Sequence, residues 1–156
     1  MSSQPPPIPP AARKILVVDD DAVVVKALSL KLASKGFKVV TAMDAAEAMQ
    51  AVRKETPDLL VLDITFPPDV GVSWDGFRIV EWLRRLNEAQ TIPVIIITGS
   101  DLEKYRSRAN SIGAAALFQK PINYDDLVDT IRKTLDEWPG HQKTPGGSAT
   151  DPATDI

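Results

Sequence analysis

Short apolar runs alternate with amphipathic segments along most of this chain. The runs contain mainly aliphatic side chains and lack the alternation of apolar and polar residues that is typical of a half-exposed strand. We therefore expect strands that are buried on both faces. The predicted strands cover residues 14–18, 37–41, 59–62, 94–97 and 115–118.

Each apolar run is followed by a segment with apolar residues at helical spacing. The first of these segments carries Val24, Leu28 and Leu32 on one face and stops at Gly36, a residue type that commonly ends helices. Later segments open on a capping pattern, in which a short polar residue precedes an acid by three positions. These pairs are Asp44 with Glu47, Ser100 with Glu103, and Asn123 with Asp126.

The succession of five strand–helix units predicts an α/β protein with one five-stranded parallel sheet, because strands buried on both faces need helices on each side. Right-handed crossovers leave few topologies, and the doubly wound (βα)5 flavodoxin-like sheet is the leading one. We expect this domain to span residues 14–138. Residues 1–13 are rich in proline and residues 139–156 in small and polar residues, so both are predicted to be disordered arms.

Composition narrows the classes of function. The 156 residues are 44% hydrophobic and 25% charged, with a formal net charge of -3, which suits one soluble domain. Cysteine is absent, which excludes disulfide frameworks, thiolate metal sites and cysteine nucleophiles. No basic block suggests nucleic-acid binding, and no apolar run is long enough to span a membrane. A cytoplasmic protein without nucleic-acid or membrane partners is the simplest expectation.

Polar residues capable of chemistry follow four of the predicted strands. They are Asp19, Asp20 and Asp21 after the first strand, Asp63 after the third, Thr98 after the fourth and Lys120 after the fifth. The carboxyl ends of parallel strands meet at one edge of the sheet, near the point where strand order reverses. Clustered carboxylates repel one another, and one lysine cannot neutralise three of them. This all-oxygen set therefore predicts a Mg²⁺ site at that edge.

The segments around these strand ends resemble the response regulator receiver family. The resemblance rests on residues 15–21, 60–67, 97–100 and 118–121, which read ILVVDDD, LVLDITFP, ITGS and FQKP. It extends over residues 14–138, and its specificity comes from the order of four short motifs, each at a strand end.

The resemblance implies that Mg²⁺ is the cofactor, and it assigns the ligands. Asp20 and Asp63 would bind the ion directly. The backbone carbonyl of Thr65 would complete this set, and Asp19 would contact the ion through a water molecule. Asp21 is expected to be an acid at the start of a helix instead.

The same resemblance assigns phosphoryl chemistry to Asp63, Thr98 and Lys120. Asp63 would be the phosphoacceptor that attacks a phosphohistidine of a partner kinase. Thr98 would donate a hydrogen bond to one phosphoryl oxygen, and Lys120 would form an ion pair with another. The Lys120–Pro121 peptide would be cis, which would turn the lysine toward the site. Such a protein catalyses its own phosphorylation and dephosphorylation and is otherwise not an enzyme.

Two features depart from the family pattern. The loop between Pro67 and Gly76 is longer than usual by several residues. Its residues 69–74 would either shade the phosphoryl group or shape the contact with the kinase, and the alternative is a neutral surface insertion. Leu117 stands three positions before Lys120, where the family often has an aromatic residue that moves inward with the threonine hydroxyl. The usual aromatic switch is therefore in doubt.

Three other functions fit this sequence less well than that of a phosphorylated receiver. A haloacid dehalogenase-type hydrolase also uses a strand-end aspartate, but it normally needs a second acid two residues later, where this chain has Thr65. A flavodoxin-like protein would need a phosphate loop after the first strand, where three carboxylates would repel FMN. A non-phosphorylated pseudo-receiver would be expected to lack one of the acids or Lys120, and none is missing.

The predicted function is a stand-alone receiver in intracellular signal transduction. A histidine kinase or phosphotransfer protein would supply the phosphoryl group, because the single histidine, His141, lies in the predicted C-terminal arm. Phosphorylation would alter the surface formed by residues 100–113 and the last strand and helix, which would bind a downstream protein. A receiver fragment of a longer regulator and a homodimer formed on phosphorylation remain open alternatives.

Overall fold

Five strands of the chain form one parallel sheet in a computed structural model that describes residues 12–64, 76–85, 92–99 and 101–137. The strands are β1 (Lys14–Val18), β2 (Lys38–Ala42), β3 (Leu59–Asp63), β4 (Val94–Thr98) and β5 (Ala116–Gln119). Their order in the sheet is β2-β1-β3-β4-β5, and every neighbouring pair is parallel. The predicted doubly wound fold is confirmed, and each predicted strand end lies within one residue of the observed one.

Five helices connect and cover the strands. They are α1 (Ala22–Ser34), α2 (Ala45–Glu55), α3 (Gly76–Arg85), α4 (Leu102–Ser111) and α5 (Tyr124–Glu137). Alternate residues of each strand point to opposite faces of the sheet. One face, with Leu16, Leu60 and Ile96, packs against α2, α3 and α4. The other face, with Val17 and Val61, packs against α1 and α5.

Burial follows the position of each strand in the sheet. Every residue of β3 and β4 is buried, because these strands have neighbours on both sides and helices on both faces. The edge strands β2 and β5 are partly exposed. The uniformly apolar sequence of the central strands is therefore a consequence of their place in a parallel sheet.

Side-chain caps set the start of several helices. Asp44 accepts a hydrogen bond from the Glu47 amide (2.8 Å), and the Glu47 carboxylate accepts one from the Met43 amide (2.8 Å). Asn123 accepts a hydrogen bond from the Asp126 amide (3.1 Å). These contacts satisfy amides that lack partners within the helix, and they confirm the predicted starts of α2 and α5.

The start of α4 differs from its prediction by one residue. Asp101 is the cap, and its carboxylate accepts a hydrogen bond from the Glu103 amide (3.1 Å). The predicted cap at Ser100 is wrong, because Asp101 directly precedes the helix and its short acidic side chain reaches the amide two residues on. Ser100 itself lies outside the described residues.

The predicted arms, except residues 12 and 13, and the loop at residues 69–74 lie outside the described residues, as does Thr65. Within the described segments, no helix combines the length and apolar character needed to cross a membrane.

Candidate functional site

The carboxyl ends of the strands are joined by backbone hydrogen bonds just beyond the sheet. The Ile64 amide donates to the Ile97 carbonyl (3.0 Å), so the chain stays attached to β4 after β3 ends. The Lys120 amide donates to the Thr98 carbonyl (2.8 Å), which holds the residue after β5 beside the end of β4. The side chains that follow the strands therefore project from a firmly held backbone.

Three acidic side chains meet at this edge of the sheet. Asp19, Asp20 and Asp63 each offer a carboxylate oxygen, and these oxygens all lie within 4.8 Å of one another. Asp19 is 1% exposed and Asp63 is 2% exposed. Among the described residues, no other group of three acids or histidines is equally close. The structure thus brings together the acidic residues expected at this edge from the sequence.

Lys120 bridges the two buried acids. Its Nζ lies 2.8 Å from Asp19 Oδ2 and 3.2 Å from Asp63 Oδ2. The peptide bond between Lys120 and Pro121 is cis, as expected. One ammonium group faces three carboxylates, so the site keeps an excess of negative charge that suits a divalent cation with oxygen ligands.

The surroundings change the pKa of both Asp19 and Lys120. The pKa of Asp19 rises from 3.8 to about 6, mainly because the side chain is buried and also because the charge of Asp63 is close. The hydrogen bonds from Lys120 and the Asp21 amide act in the opposite direction and lower the pKa. For Lys120, burial alone would lower the pKa, but the attraction of Asp19 and Asp63 outweighs burial and raises it. The ammonium group therefore stays charged at neutral pH.

Replacing Asp19 with asparagine is expected to stabilise the protein at neutral pH in the presence of EDTA. Because the pKa of Asp19 is higher in the folded protein than its usual value of 3.8, ionising this carboxyl costs stability, up to about 3 kcal/mol. This loss of stability grows as the pH rises from the pKa of Asp19 in the unfolded protein through its higher pKa in the folded protein. We expect the variant to be about 1–3 kcal/mol more stable at neutral pH, with the difference shrinking in acid.

Urea unfolding of both proteins across this pH range measures the effect. The matched control is Asp129→Asn, which removes an exposed charge from α5. Equal stability of the Asp19→Asn variant and the wild type at neutral pH would contradict the prediction.

Other residues singled out from the sequence have distinct positions. Asp21 caps α1 by accepting a hydrogen bond from the Val23 amide (2.9 Å), and it is not part of the acidic cluster, as predicted. Thr98 is the last residue of β4, at the edge of the sheet that carries the acidic cluster, and it is completely buried. Thr65, the predicted backbone ligand, lies outside the described residues.

Leu117 and Phe118 point to opposite faces of the sheet. Leu117 packs with the α2–α4 face, and Phe118 packs with the face covered by α1 and α5. Because neighbouring strand residues alternate in direction, Phe118 cannot take the place of Leu117 without a shift of register. Position 117, where the resemblance to receivers leads us to expect an aromatic residue, thus holds a leucine that packs on the α2–α4 face.

Gly76 is close to the site but is not among the residues singled out from the sequence for a function. It is the first residue of α3 and lies against the backbone of Asp63 and Ile64. The sequence does contain one signal for this contact: a glycine stands at the start of a helical apolar pattern, although glycine is a poor helix former. That signal alone does not distinguish a close backbone contact from an ordinary helix boundary.

Comparisons with known proteins agree with the fold and the acidic cluster. The sequence profile of the response regulator receiver domain matches residues 15–132. This family acts in two-component signalling, as a switch and not as a conventional enzyme. Its members interact with kinases or phosphotransfer proteins and with downstream targets, and they typically bind Mg²⁺ at an acidic pocket.

Similar proteins include both short and long regulators. A probable transcriptional regulator, ycf29, of Porphyra purpurea is 31% identical over 113 residues, which are 72% of this chain and 52% of that protein. The polar-differentiation response regulator DivK of Brucella anthropi is 28% identical over 65% of this chain and 79% of its own length. The chain thus spans about half the length of the Porphyra purpurea relative and most of DivK.

Solved structures place the fold in the same family. The CheY-like receiver domain protein of Methanospirillum hungatei JF-1 superposes with a TM-score of 0.73 at 27% identity, covering 83% of this chain and 98% of that chain. The chemotaxis response regulator CheY4 of Vibrio cholerae gives a TM-score of 0.70 at 27% identity, covering 79% of this chain and 98% of its own. These matches favour a receiver over the hydrolase and flavin-binding alternatives. The chain therefore belongs to the response regulator receiver domain family.

Proposed function

We propose that this protein is a response regulator that accepts a phosphoryl group on Asp63 in the presence of Mg²⁺. The observation that carries the proposal is the buried Asp63 carboxylate, which shares an edge of the sheet with Asp19, Asp20 and Lys120. The donor is a histidine kinase or a phosphotransfer protein. The output is a change in a surface that binds a downstream protein.

Asp63 is the nucleophile in this proposal. One of its carboxylate oxygens attacks phosphorus and forms the new P–O bond. The P–N bond of the donor phosphohistidine breaks, and its electron pair stays on the imidazole nitrogen. The donor side chain takes up a proton and leaves as a neutral imidazole. With acetyl phosphate as donor, the P–O bond to the acetyl group breaks instead and acetate leaves with the electron pair. Buried, pre-positioned groups suit this chemistry, which depends mainly on alignment and on charge stabilisation.

Mg²⁺ fits the residues at this edge, because three carboxylate oxygens lie within 4.8 Å of one another and the single charge of Lys120 is shared between two of these acids. Asp20 and Asp63 would hold the ion directly with the carbonyl of Thr65, and Asp19 would act through a water molecule. Bound Mg²⁺ would neutralise the negative charge that carboxylates and phosphoryl oxygens bring together.

Lys120 and Thr98 stabilise the transferred group. The Lys120 ammonium lies 3.2 Å from Asp63 Oδ2, which supports its proposed ion pair with an oxygen of a phosphoryl group on Asp63. The Thr98 hydroxyl is proposed to donate a hydrogen bond to a second phosphoryl oxygen, and the Lys120–Thr98 backbone hydrogen bond keeps the two residues together. Donors held in this way lower the energy of charge developing on the phosphoryl oxygens.

Mass spectrometry of the protein after incubation with acetyl phosphate tests the proposal. We expect the wild type to gain one phosphoryl group with Mg²⁺ and none with EDTA. Borohydride reduction, which converts an aspartyl phosphate to homoserine, should place the modification at residue 63. If neither acetyl phosphate nor phosphoramidate labels the protein, the proposal fails and a pseudo-receiver becomes the better description. Modification of a residue other than Asp63 would also contradict the proposal.

A further inference from the structure

We propose that Gly76 is a positioning residue for the phosphoacceptor, because a residue without Cβ lets α3 begin directly against the Asp63–Ile64 peptide group. This inference rests on the proposed function of Asp63 and deepens it. It names a residue outside the acidic cluster that sets where the nucleophile lies.

The contact between Gly76 and the end of β3 is made by backbone atoms. Gly76 is buried, and its amide donates to the Ile64 carbonyl (3.3 Å). A Cβ at position 76 would lie 2.7 Å from Ile64 Cα, 2.8 Å from the Asp63 carbonyl oxygen and 2.9 Å from Ile64 Cγ2. Real Cβ atoms essentially never approach other heavy atoms to less than 3.0 Å. Any side chain at position 76 therefore forces a displacement.

The backbone conformation of Gly76 does not explain the glycine. Gly36 and Gly113 have positive φ angles of 94° and 74°, and these are the positive-φ glycines of the described chain. Helix propensity also disfavours glycine in α3, because alanine is the better helix former. The remaining explanation for glycine at position 76 is the narrow space between α3 and the peptide group that follows Asp63, which leaves no room for a Cβ atom.

Both sides of this contact are held in place. The Ile64 amide is bonded to the Ile97 carbonyl (3.0 Å), and Asp63 is paired in register with Ile97 of β4. On the α3 side, Phe77 is completely buried. The ring of Tyr105 lies 5.9 Å from that of Phe77, and the Arg108 guanidinium lies 4.3 Å from the Phe77 centroid. Because packed interiors resist displacement, α3 cannot simply move away from β3. A methyl group added at position 76 would therefore disturb the Asp63–Ile64 peptide.

A disturbed peptide at this point changes the reaction geometry. The Asp63 carboxylate extends from the same residue whose carbonyl oxygen would meet the new Cβ. Its Oδ2 lies 3.2 Å from Lys120 Nζ, and a shift of a few tenths of an ångström would change this distance and those to Asp19 and Asp20. Small misplacements of reacting groups are costly, because phosphoryl transfer depends on alignment.

The test compares phosphorylation rates of three α3 variants with that of the wild type. Gly76→Ala adds the Cβ, Val80→Ala removes packing from a buried position of the same helix, and Glu81→Ala changes an exposed position. Initial rates with acetyl phosphate and Mg²⁺ are expressed per folded molecule, with the folded fraction taken from urea unfolding. Trimethylamine N-oxide supports folding where it is needed.

We expect Gly76→Ala to be phosphorylated at least about tenfold more slowly, while Val80→Ala loses stability but keeps the wild-type rate per folded molecule. Glu81→Ala should match the wild type in both. The Ile64 amide, followed by NMR, should change its chemical shift and exchange faster in Gly76→Ala. A purely structural role would lower stability without changing the rate per folded molecule.

Three outcomes overturn the proposal. They are a Gly76→Ala rate equal to that of the wild type, an equal loss of rate in Val80→Ala, or a Gly76→Ala variant that does not fold even with the osmolyte. Wild-type protein that takes up no label contradicts the proposed function itself. Labelled wild type with equally labelled Gly76→Ala contradicts the role of Gly76 alone.

Discussion

Replacing Asp63 with asparagine is expected to reduce phosphorylation by acetyl phosphate at least about 10³-fold, because a neutral amide replaces the nucleophilic carboxylate while the side-chain volume is kept. Asp63 is 2% exposed and lies at the end of a fully buried strand, so an amide of similar size should be accommodated without loss of the fold. Phosphate incorporation per molecule, measured in the presence of Mg²⁺, gives the rate.

The control for this prediction is Asp129→Asn, which makes the same chemical change at an exposed position of α5. It should be phosphorylated like the wild type. Persistent modification of Asp63→Asn at a rate near the wild-type value would show that another residue accepts the phosphoryl group. Circular dichroism of both variants verifies that a lost signal does not come from unfolding.

Replacing Lys120 with glutamine is expected to slow phosphorylation by about 10²-fold, because the ammonium group that faces the acceptor is removed. Its Nζ lies within 3.2 Å of both buried acids, so the variant removes an ammonium group that forms ion pairs with two buried carboxylates. In EDTA we expect the free energy of unfolding to fall by about 3 kcal/mol. Added Mg²⁺ should recover part of this loss.

The stabilising effect of Lys120 has a defined pH range. Its pKa in the folded protein is raised above the usual lysine value, so its contribution is complete at neutral pH and disappears as pH rises through the folded pKa. Urea unfolding at neutral and alkaline pH measures this dependence. Lys133→Gln, at an exposed position of α5, is the matched control. Unchanged stability and unchanged phosphorylation in Lys120→Gln would contradict the bridging role.

The fold could be predicted because its periodic signals are local. The apolar runs at β3 and β4 have no polar alternation, and the caps at Asp44 and Asn123 lie directly before their helices. Each signal depends on residues a few positions apart, so it is visible in the sequence. The start of α4 was misplaced because Ser100 and Asp101 are both good capping residues, and the sequence pattern does not say which one caps the helix.

The acidic cluster could be predicted for a topological reason. Parallel strands end at the same edge of the sheet, so residues that follow strands approach one another even when they are far apart in sequence. Asp19, Asp63 and Lys120 meet in this way. Their distances and burial could not be predicted, because these depend on how neighbouring strand ends are joined and covered.

Local sequence patterns were enough to predict the order of the elements, the parallel sheet and the residue types gathered at its carboxyl edge, because periodicity and strand ends are properties of neighbouring residues. The packed fold was needed to show that one ammonium group bridges Asp19 and Asp63, that burial raises the pKa of Asp19, and that Gly76 lies against the Asp63–Ile64 peptide. These properties arise from contacts between residues that are distant along the chain. Such contacts exist only once the strands and helices are packed together.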